Sequence, residues 1–395
     1  MKKTLIVLVA LLLALPLTAQ KNPDVRYLGK APQRAELVLP QVNGYNVYKA
    51  DFHIHTVYSD GDLSGKGRAT EAYYDGLDII AITDHLEYRP NEGKFLQATA
   101  GYHKRLPEPR NYKVHYTGAD KEGILADLNV PYLDAKKPGE RLGLLVIPGG
   151  EITRHPDSIG HYNALFIKDA NKIHDNDPEK AIRNARAQGA LITHNHPGWR
   201  RATVDKNEFH KKVYGAGLID GVEVVNGMSF GAKLIKRCLD ENLFMVAATD
   251  IHASSAQSFV PNGFFRTCTF VLAKELTSEA VREALEARRT LAYAGNNVMG
   301  EESLVKALFY ASVTMKVIYT SSTGEKTVAL TNMSSIPYTL RRGKNSNDQV
   351  LKPFQTLTFK VAKDKDLGFY VRNMWTADEK HPNGKHPHIK YVLAE

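Results

Sequence analysis

The sequence predicts an α/β barrel followed by a small all-β, sandwich-like domain, and three observations support this division. Short apolar runs alternate with helical stretches between residues 47 and 303, which is typical of a mostly parallel sheet or barrel. From residue 304 onward, short apolar runs are separated by turn residues and no helix is evident, which favours a sandwich. The length of 395 residues accommodates both parts, because a barrel of this kind needs about 250 residues.

The apolar runs are the predicted strands, and the amphipathic stretches between them are the predicted helices. Barrel strands are expected at residues 47–54, 77–83, 142–147, 162–167, 190–193, 221–225 and 243–248. Helices are expected at residues 69–75, 178–188, 231–239 and 278–288, the last capped by Thr277 or Ser278. In the second part, strands are expected at residues 308–319, 327–330, 338–341, 357–361 and 369–372. Residues 21–46 are a lead-in segment, and residues from about 90 to 139 are an expected insertion over one face.

The chain begins with a predicted secretory signal at residues 1–20. Lys2 and Lys3 precede an apolar stretch at residues 5–15, and small or polar residues follow it. This stretch is short compared with the roughly 20 residues that a membrane-spanning helix needs, so a signal is favoured over an anchor. No cysteine follows it, which argues against a lipoprotein. We therefore expect a periplasmic or secreted protein with no membrane span once the signal is removed.

The composition is that of a soluble globular protein, with 43% hydrophobic and 24% charged residues. The formal charge of +9 falls to about +7 without the two N-terminal lysines, a mild excess that would help to attract an anionic substrate. The chain has no dense basic stripe, so we expect no stable nucleic-acid partner. Cys238 and Cys268 are too few for a disulfide framework, and whether they pair is left open, as is the oligomeric state. The histidines of the C-terminal tail are expected to lie in a solvated loop.

Ionisable residues occur at the ends of the barrel's apolar runs. His53 and His55 are two residues apart on one run, so their side chains share a face of the strand. Glu151 follows two glycines, where a carboxylate on a tight turn could bridge two cations. Because buried unpaired charges are costly, and because the carboxyl ends of barrel strands meet at one mouth, we expect a single metal site there. The candidate residues are His53, His55, Asp60, Asp84, His85, Glu151, His161, His194, His196, Asp250 and His252.

These motifs, in this order, resemble those of the PHP (polymerase and histidinol phosphatase) superfamily over residues 47–295. The resemblance rests on Asp51-Phe52-His53-Ile54-His55-Thr56, Thr83-Asp84-His85, Glu151, His196-Pro197 and Asp250-Ile251-His252. It implies a distorted (βα)7 barrel with three divalent metal ions at its mouth, of manganese, zinc or iron. One metal would be held by His53, His55, Glu151 and Asp250, a second by Glu151, His161 and His196, and a third by Asp60, His85 and His252. His194 and His196 compete for one position, and His196 is preferred because the superfamily's ligand commonly precedes proline.

A closer resemblance is to the secreted PHP family named for the Sb-PDE phosphodiesterase. The signal sequence, the β-rich tail and two short motifs carry this likeness: Glu87-Tyr88-Arg89-Pro90 and Asn195-His196-Pro197-Gly198-Trp199. It implies that a small phosphodiester is hydrolysed by a metal-bound hydroxide. Besides Glu151, Asp84 would support the metals, His194 or His252 could transfer a proton, and Arg154, Arg200 or Arg201 could bind phosphate oxygens.

Other functions remain open from the sequence alone. A phosphomonoesterase is the nearest alternative, since the number of arginines that reach the site cannot be counted. A nucleic-acid exonuclease is disfavoured by the expected export. A non-catalytic periplasmic metal or ligand binder would be expected to have damaged ligand positions, whereas every position here has a competent residue.

Overall fold

The computed structural model describes residues 33–91, 127–259, 263–343, 345–378 and 381–393. The predicted signal at residues 1–20, residues 21–32 of the lead-in segment and residues 92–126 of the predicted insertion lie outside these ranges.

One large sheet forms the barrel and places most of its strands in the predicted positions. Its strands are β1 (Asn46–Asp51), β2 (Ile79–Ile82), β3 (Leu145–Ile152), β4 (His161–Leu165), β5 (Leu191–Asn195), β6 (Gly221–Asn226), β7 (Ser229–Phe230), β8 (Phe244–Ala248), β9 (Cys268–Ala273), β10 (Thr290–Ala294) and β11 (Asn297–Met299). The order from β11 to β7 is 11-10-9-1-2-3-4-5-6-7, and β8 pairs with β6. Buried aliphatic side chains fill the interior, as in the β2 sequence from Ile79 to Ile82, where every residue is buried.

Strand β4 is antiparallel to both of its neighbours, β3 and β5, whereas β1–β2, β2–β3, β5–β6 and β6–β8 are parallel pairs. This reversal distorts the barrel and has a consequence for the site. The start of an antiparallel strand lies at the same edge as the carboxyl ends of the parallel strands beside it. His161, the first residue of β4, pairs with Asn195, the last residue of β5.

The helices between the strands begin at polar caps. They are α1 (Gly65–Tyr74), α2 (Val130–Leu142), α3 (Pro178–Ala187), α4 (Glu208–Gly215), α5 (Ala232–Asp240), α6 (Ser255–Ser258), α7 (Ser278–Glu286) and α8 (Glu302–Ser312). Ser64 caps α1, Asp177 caps α3 with a proline at the first helical position, and Thr277 caps α7. Asn207 and His210 form a reciprocal capping box at the start of α4.

The C-terminal strands form two small antiparallel sheets that pack as a sandwich. The first contains β12 (Val313–Thr320), β13 (Lys326–Asn332) and β16 (Thr356–Val361), and the second contains β14 (Tyr338–Arg341), β15 (Gln349–Leu351), β17 (Leu367–Val371) and β20 (His388–Tyr391). Phe359 of one sheet and Phe369 of the other lie 5.0 Å apart between ring centroids. The remaining strands, β18 (Met374–Asp378) and β19 (His381–Lys385), join the barrel sheet through a parallel pair between β11 and β18.

Two predictions about the C-terminal part are wrong in detail. The strand expected at residues 308–319 starts only at Val313, because residues 302–312 form α8, which Glu301 caps and which buries Val305, Leu308 and Phe309. This helix crosses the predicted domain boundary at residue 304, which stays a prediction. The histidine-rich tail is not a solvated loop: the ring of His386 lies 4.4 Å from that of Trp375, and its Nδ1 is 2.9 Å from the carbonyl oxygen of Met374.

Both cysteines, Cys238 and Cys268, are buried free thiols. Within the described ranges, no helix has the length and apolar character that would let it cross a membrane.

Candidate metal centre

The nine predicted metal ligands lie together at one mouth of the barrel. Three overlapping groups have ligand atoms within 4.8 Å of one another: His53, Glu151 and His196; His53, His55 and Asp250; and His55, Asp60, His85 and His252. His161, the ninth, places its Nδ1 3.3 Å from Glu151 Oε1. The prediction of a single cluster at the strand ends therefore agrees with the geometry, while the role of each side chain as a metal ligand stays a prediction.

Glu151 is the centre of this cluster and is completely buried. Five histidines approach its carboxylate to between 2.6 and 3.7 Å: His53, His55, His85, His161 and His196. Burial would raise the pKa of Glu151, but the neighbouring histidines, His85 and His53 first among them, hold it well below its usual range. The side chain is therefore an anion that can face more than one cation.

Glu151 does not lie on a tight turn as predicted; it lies within β3, because the strand continues through both glycines to Ile152. Gly149 pairs with Leu165 and Gly150 with Ala164 of β4. A Cβ atom on Gly149 would lie 2.9 Å from the Thr83 side chain, so glycine lets β2, β3 and β4 approach closely next to the site.

His53 is fixed by a second carboxylate that sequence reasoning missed. Glu223 on β6 is buried, and its Oε1 lies 2.6 Å from His53 Nδ1. Its Oε2 accepts hydrogen bonds from the backbone N–H of His196, at 2.8 Å, and from Asn226 Nδ2, at 3.0 Å. A carboxylate behind a histidine sets which ring nitrogen faces a metal and makes that nitrogen more basic. The available signal was a glutamate in the middle of an otherwise apolar run.

The third group combines Asp60 with three histidines. Asp60 Oδ2 lies 3.2 Å from His252 Nε2 and 3.4 Å from His85 Nε2, and its Oδ1 lies 3.5 Å from His55 Nδ1. Burial opposes ionisation of Asp60, but the hydrogen bonds from His252 and His85 hold its pKa well below the usual value. His55 thus contacts this group as well as the group to which the resemblance assigned it. Burial, with His252 and His85 nearby, lowers the pKa of His55 to about 4, so its imidazole is neutral and able to bind a metal.

Asp84 supports the segment that carries Asp60 rather than facing the cavity. Its Oδ1 accepts hydrogen bonds from the backbone N–H of Thr56 at 2.9 Å and from Ser59 Oγ at 2.5 Å. This placement agrees with the supporting role that was predicted for it. Arg68 is a second support that the sequence did not single out: its guanidinium is buried and donates to the carbonyl oxygens of His55 and Ala253.

His196 faces the cluster and His194 does not, as predicted. Strand β5 ends at Asn195, whose Nδ2 donates to Glu151 Oε1 at 2.9 Å. His194, on the opposite face of β5, places its Nδ1 2.8 Å from the Tyr214 hydroxyl. His196 then adopts a positive φ of 28°, which breaks the alternation of the strand and returns its ring to the side of Asn195. The orientation of His194 does not support the predicted role in direct proton transfer at the cluster.

The three candidate arginines differ in where they point. Arg154 is buried and lies 3.0 Å from Glu87 Oε1, with a further hydrogen bond to the carbonyl oxygen of Asp175. Arg201 hydrogen-bonds the carbonyl oxygens of Pro197 and Asp205. Arg200 lines the cavity over the cluster, with its guanidinium 4.5 Å from the centre of the Trp199 ring. Of the three, only Arg200 has the position expected of a phosphate-binding residue.

The cluster has the properties of a metal site. His53 Nε2 and His55 Nε2 lie 3.0 Å apart, and Asp250 Oδ1 lies 3.2 and 3.0 Å from them. His161 Nε2 is buried without a hydrogen-bond partner among the described residues. Imidazole nitrogens and carboxylate oxygens that converge in this way match the ligand preferences of zinc, manganese and iron. A cavity of ≈ 310 Å³ opens above them, lined among others by Tyr88, Thr153 and Trp199.

Comparisons with known structures agree with this reading of the fold. The protein is similar to a two-domain protein of Bacteroides vulgatus that contains a predicted PHP-like metal-dependent phosphoesterase. The two sequences are 32% identical, the TM-score is 0.78, and the match covers 92% of this chain and 100% of the Bacteroides chain. Weaker similarities are to a putative metal-dependent phosphoesterase of Bifidobacterium adolescentis (15% identity, 60% and 96% of the two chains, TM-score 0.37) and to the lesion-specific endonuclease PfuEndoQ of Pyrococcus furiosus (17% identity, 65% and 59%, TM-score 0.39). No model of a protein family and no curated protein matches the chain.

The barrel, its clustered histidines and carboxylates, and this full-length similarity define a class of metal-dependent hydrolases. The chain belongs to the PHP-like metal-dependent phosphoesterases. The predicted fold, a distorted PHP barrel followed by a small all-β domain, is confirmed.

Proposed function

We propose that the protein is an exported phosphodiesterase that uses three divalent metal ions, of manganese, zinc or iron, to hydrolyse a small phosphodiester. The observation that carries this proposal is the position of Glu151, a buried carboxylate in contact with five histidines. A carboxylate so placed can bind to two cations at once, and two or more cations close together are suited to phosphoryl transfer. Metal ions bound there would neutralise phosphate oxygens and lower the pKa of water so that it can attack phosphorus at neutral pH.

The residues of this chain would supply the ligands and the binding surface. His53, His55, Glu151 and Asp250 would hold one ion, Glu151, His161 and His196 a second, and Asp60, His85 and His252 a third. Attack of water on phosphorus would form one P–O bond and break the bond to one ester oxygen, which leaves as an alcohol. His252 places its Nε2 near Asp60 and its Nδ1 2.8 Å from the carbonyl oxygen of Asp250, so as a ligand of the third ion it would have no nitrogen left to pass a proton to that oxygen.

Beyond the proposed metal ions, the described side chains of the cavity supply little positive charge, which favours a diester over a monoester. Among the described residues that line it, Arg200 is the one lysine or arginine, and its side chain is 63% exposed. A phosphate diester carries a single negative charge, whereas a monoester near neutral pH carries closer to two and gains more from fixed cations. Arg154, which could have added charge, is held by Glu87.

Turnover of two chromogenic substrates on one preparation tests the proposal. Bis(p-nitrophenyl) phosphate and p-nitrophenyl phosphate would be assayed side by side, with the metal content of the same sample measured by mass spectrometry. We expect the diester to be hydrolysed with the higher kcat/KM and the activity to disappear when the metal ions are removed by a chelator. Manganese, zinc and iron would then be added back separately, and at least one of them should restore the activity. A higher kcat/KM for the monoester would make the protein a phosphomonoesterase. Bound metal without hydrolysis of either ester would favour a binding protein.

Export and membership of the Sb-PDE-like family belong to the same proposal. They rest on the signal-like residues 1–20 and on the segment from Asn195 to Trp199. N-terminal sequencing of the protein recovered from the periplasm or the medium should give a chain that starts near residue 21. An intact N-terminus on protein found only in the cytoplasm would contradict export.

A further inference from the structure

A second cavity lies next to the candidate metal centre. It measures ≈ 240 Å³ and shares two wall residues, His196 and Trp199, with the cavity above the metal ligands. The Trp199 ring stands between the two spaces, 5.2 Å from the ring of His161 and 5.4 Å from that of His196. The two cavities are therefore neighbouring compartments of one site.

The wall of this cavity away from the metal ligands is apolar. It consists of side chains from the segment after β5 and from the β6–β7 hairpin and α5, namely Pro197, Val204, Val224, Phe230 and Leu234. Val224 and Leu234 belong to a buried apolar cluster of the barrel, and Val204 and Phe230 pack against that cluster. The apolar wall is thus held by the core of the protein.

The inner wall is formed by residues that support the metal ligands. Glu223 faces the cavity and lies 2.6 Å from His53. Asn226, also in the wall, donates to Glu223 Oε2 at 3.0 Å and to Asp250 Oδ2 at 3.3 Å. An organic group bonded to a phosphate at the metal cluster would enter this space beside His196 and Trp199, the residues that line both cavities.

The size and charge of the cavity restrict what it can hold. A cavity of about 150 Å³ is sufficient for benzene, so ≈ 240 Å³ fits one substituted ring but not a drug-sized molecule. Among its described lining residues the one charged group other than histidine is Glu223, an anion that would repel a second phosphate. Apolar walls with few polar groups are typical of pockets that bind planar organic groups.

We propose that this cavity binds one apolar, aromatic ester group of the phosphodiester substrate and so selects aryl over small alkyl esters. The inference rests on the proposed phosphodiesterase function and specifies its substrate class. Trp199 and Phe230 provide aromatic surfaces at the entrance and in the wall, and Asn226 and Ser229 provide the few polar groups that could orient a ring substituent.

Two phosphonates that differ only in their single organic group test this proposal without requiring turnover. Binding of phenylphosphonate and methylphosphonate to the full-length, metal-containing protein would be measured by calorimetry. Each buried carbon group contributes about fourfold to a binding constant, so even partial burial of the five additional carbons predicts a phenyl preference of at least about tenfold.

A matched pair of variants assigns that preference to the cavity. Val204→Phe replaces the two methyl groups of valine by a phenyl group in the cavity wall, whereas Ala202→Phe places a phenyl group at an exposed position two residues earlier in the same segment. We expect Val204→Phe to reduce the phenyl preference to less than about threefold, with methylphosphonate affinity and thermal unfolding unchanged. Ala202→Phe should retain the preference.

The outcomes separate this proposal from the proposed function. Equal binding of the two phosphonates by the unmodified protein, or an unchanged preference in Val204→Phe, would overturn the aryl pocket while leaving diester hydrolysis intact. A phenyl preference that Val204→Phe abolishes, in a protein that hydrolyses no diester, would support the pocket and overturn the activity. Binding of neither phosphonate by a protein that hydrolyses bis(p-nitrophenyl) phosphate would overturn the aryl pocket alone.

Discussion

Replacement of Glu151 by glutamine is the sharpest perturbation of the candidate metal centre. The amide keeps the shape of the side chain, and Asn195 Nδ2 can still donate to its oxygen, as it does now at 2.9 Å. What disappears is the negative charge that five histidines surround. Glu151→Gln therefore tests whether that charge holds cations together.

The expected loss follows from the electrostatics of a buried charge. A unit charge about 4 Å from a cation contributes about 4 kcal/mol at an effective dielectric constant of about 20, or about three orders of magnitude in a binding constant. The dipole of the amide and the remaining ligands recover part of this. We therefore expect at least about a hundredfold lower phosphodiesterase activity, at the upper end of the effect of removing groups that support metal sites. Metal content should fall by at least one ion per chain from the proposed three.

Turnover, metal content and thermal unfolding would be measured on the same sample of Glu151→Gln. Glu179→Gln is the control, because Glu179 pairs with Lys212 and Arg183 on the outside of the barrel, and its loss should change none of the three. Full activity of Glu151→Gln with normal metal content would remove Glu151 from the mechanism. Loss of activity together with a collapsed unfolding temperature would show that the carboxylate is needed for the fold and not only for the metals.

Three further experiments, with four variants, test the cluster and its surroundings. Glu223→Gln is expected to lower metal affinity by about ten- to a hundredfold, measured by chelator competition, because the carboxylate that fixes His53 loses its charge; unchanged affinity would refute this. His196→Phe should lower metal content and His194→Phe should not, by mass spectrometry of both variants; the reverse result would mean that the two rings exchange roles. Burial lowers the pKa of His210 from 6.5 to about 4 in the folded protein. Between these two pH values the unfolded chain binds a proton that the folded protein does not. The free energy of unfolding should therefore fall by up to about 3 kcal/mol as the pH falls from about 6.5 to 4. His210→Gln keeps a residue that can complete the capping box, but it removes the titrating group. The free energy of unfolding of this variant, measured by chemical denaturation at several pH values, should depend less on pH than that of the unmodified protein. The same pH dependence in both proteins would refute the role of His210.

The course of the barrel was predictable because its strands are short, apolar and bounded by turn residues. The predicted run at residues 77–83 corresponds to β2, and that at residues 243–248 corresponds to β8. The reversal of β4 was not predictable, since an apolar run carries no information on its direction. Helix α8 was missed because its buried face, with Leu308 and Phe309, leads directly into the apolar start of β12, and the combined stretch reads as one long strand.

The ligands were predictable because chemistry at a barrel mouth requires ionisable residues at strand ends. Of their supports, Asp84 was predicted because it lies in a motif, whereas Glu223 and Arg68 are defined by the groups they contact and not by a place in a motif. The sequence marks Glu223 as a glutamate within an apolar run, but its partner is seen only once β6 is found to lie behind His53, and Arg68 is recognised only once α1 is found to approach the backbone of residue 55. The same limit explains Arg154, which follows a motif residue in sequence but is held by Glu87 in the fold.

Apart from His196, the predicted metal ligands and the residues that line the apolar cavity are different parts of the chain. The predicted metal ligands lie on strand ends or in short segments hydrogen-bonded to neighbouring strands, as where Asp250 donates its N–H to the carbonyl oxygen of His53. The apolar cavity is lined by the loop that contains Val204 and by the β6–β7 hairpin, whose Asn226 hydrogen-bonds to Asp250. Glu223 connects the two, since it lines the apolar cavity and fixes His53. An ester group of the substrate that contacts Glu223 in the cavity wall would therefore act on the position of His53 directly. We expect the preferred ester group and the rate of its hydrolysis to vary together among relatives that differ in the loop that contains Val204.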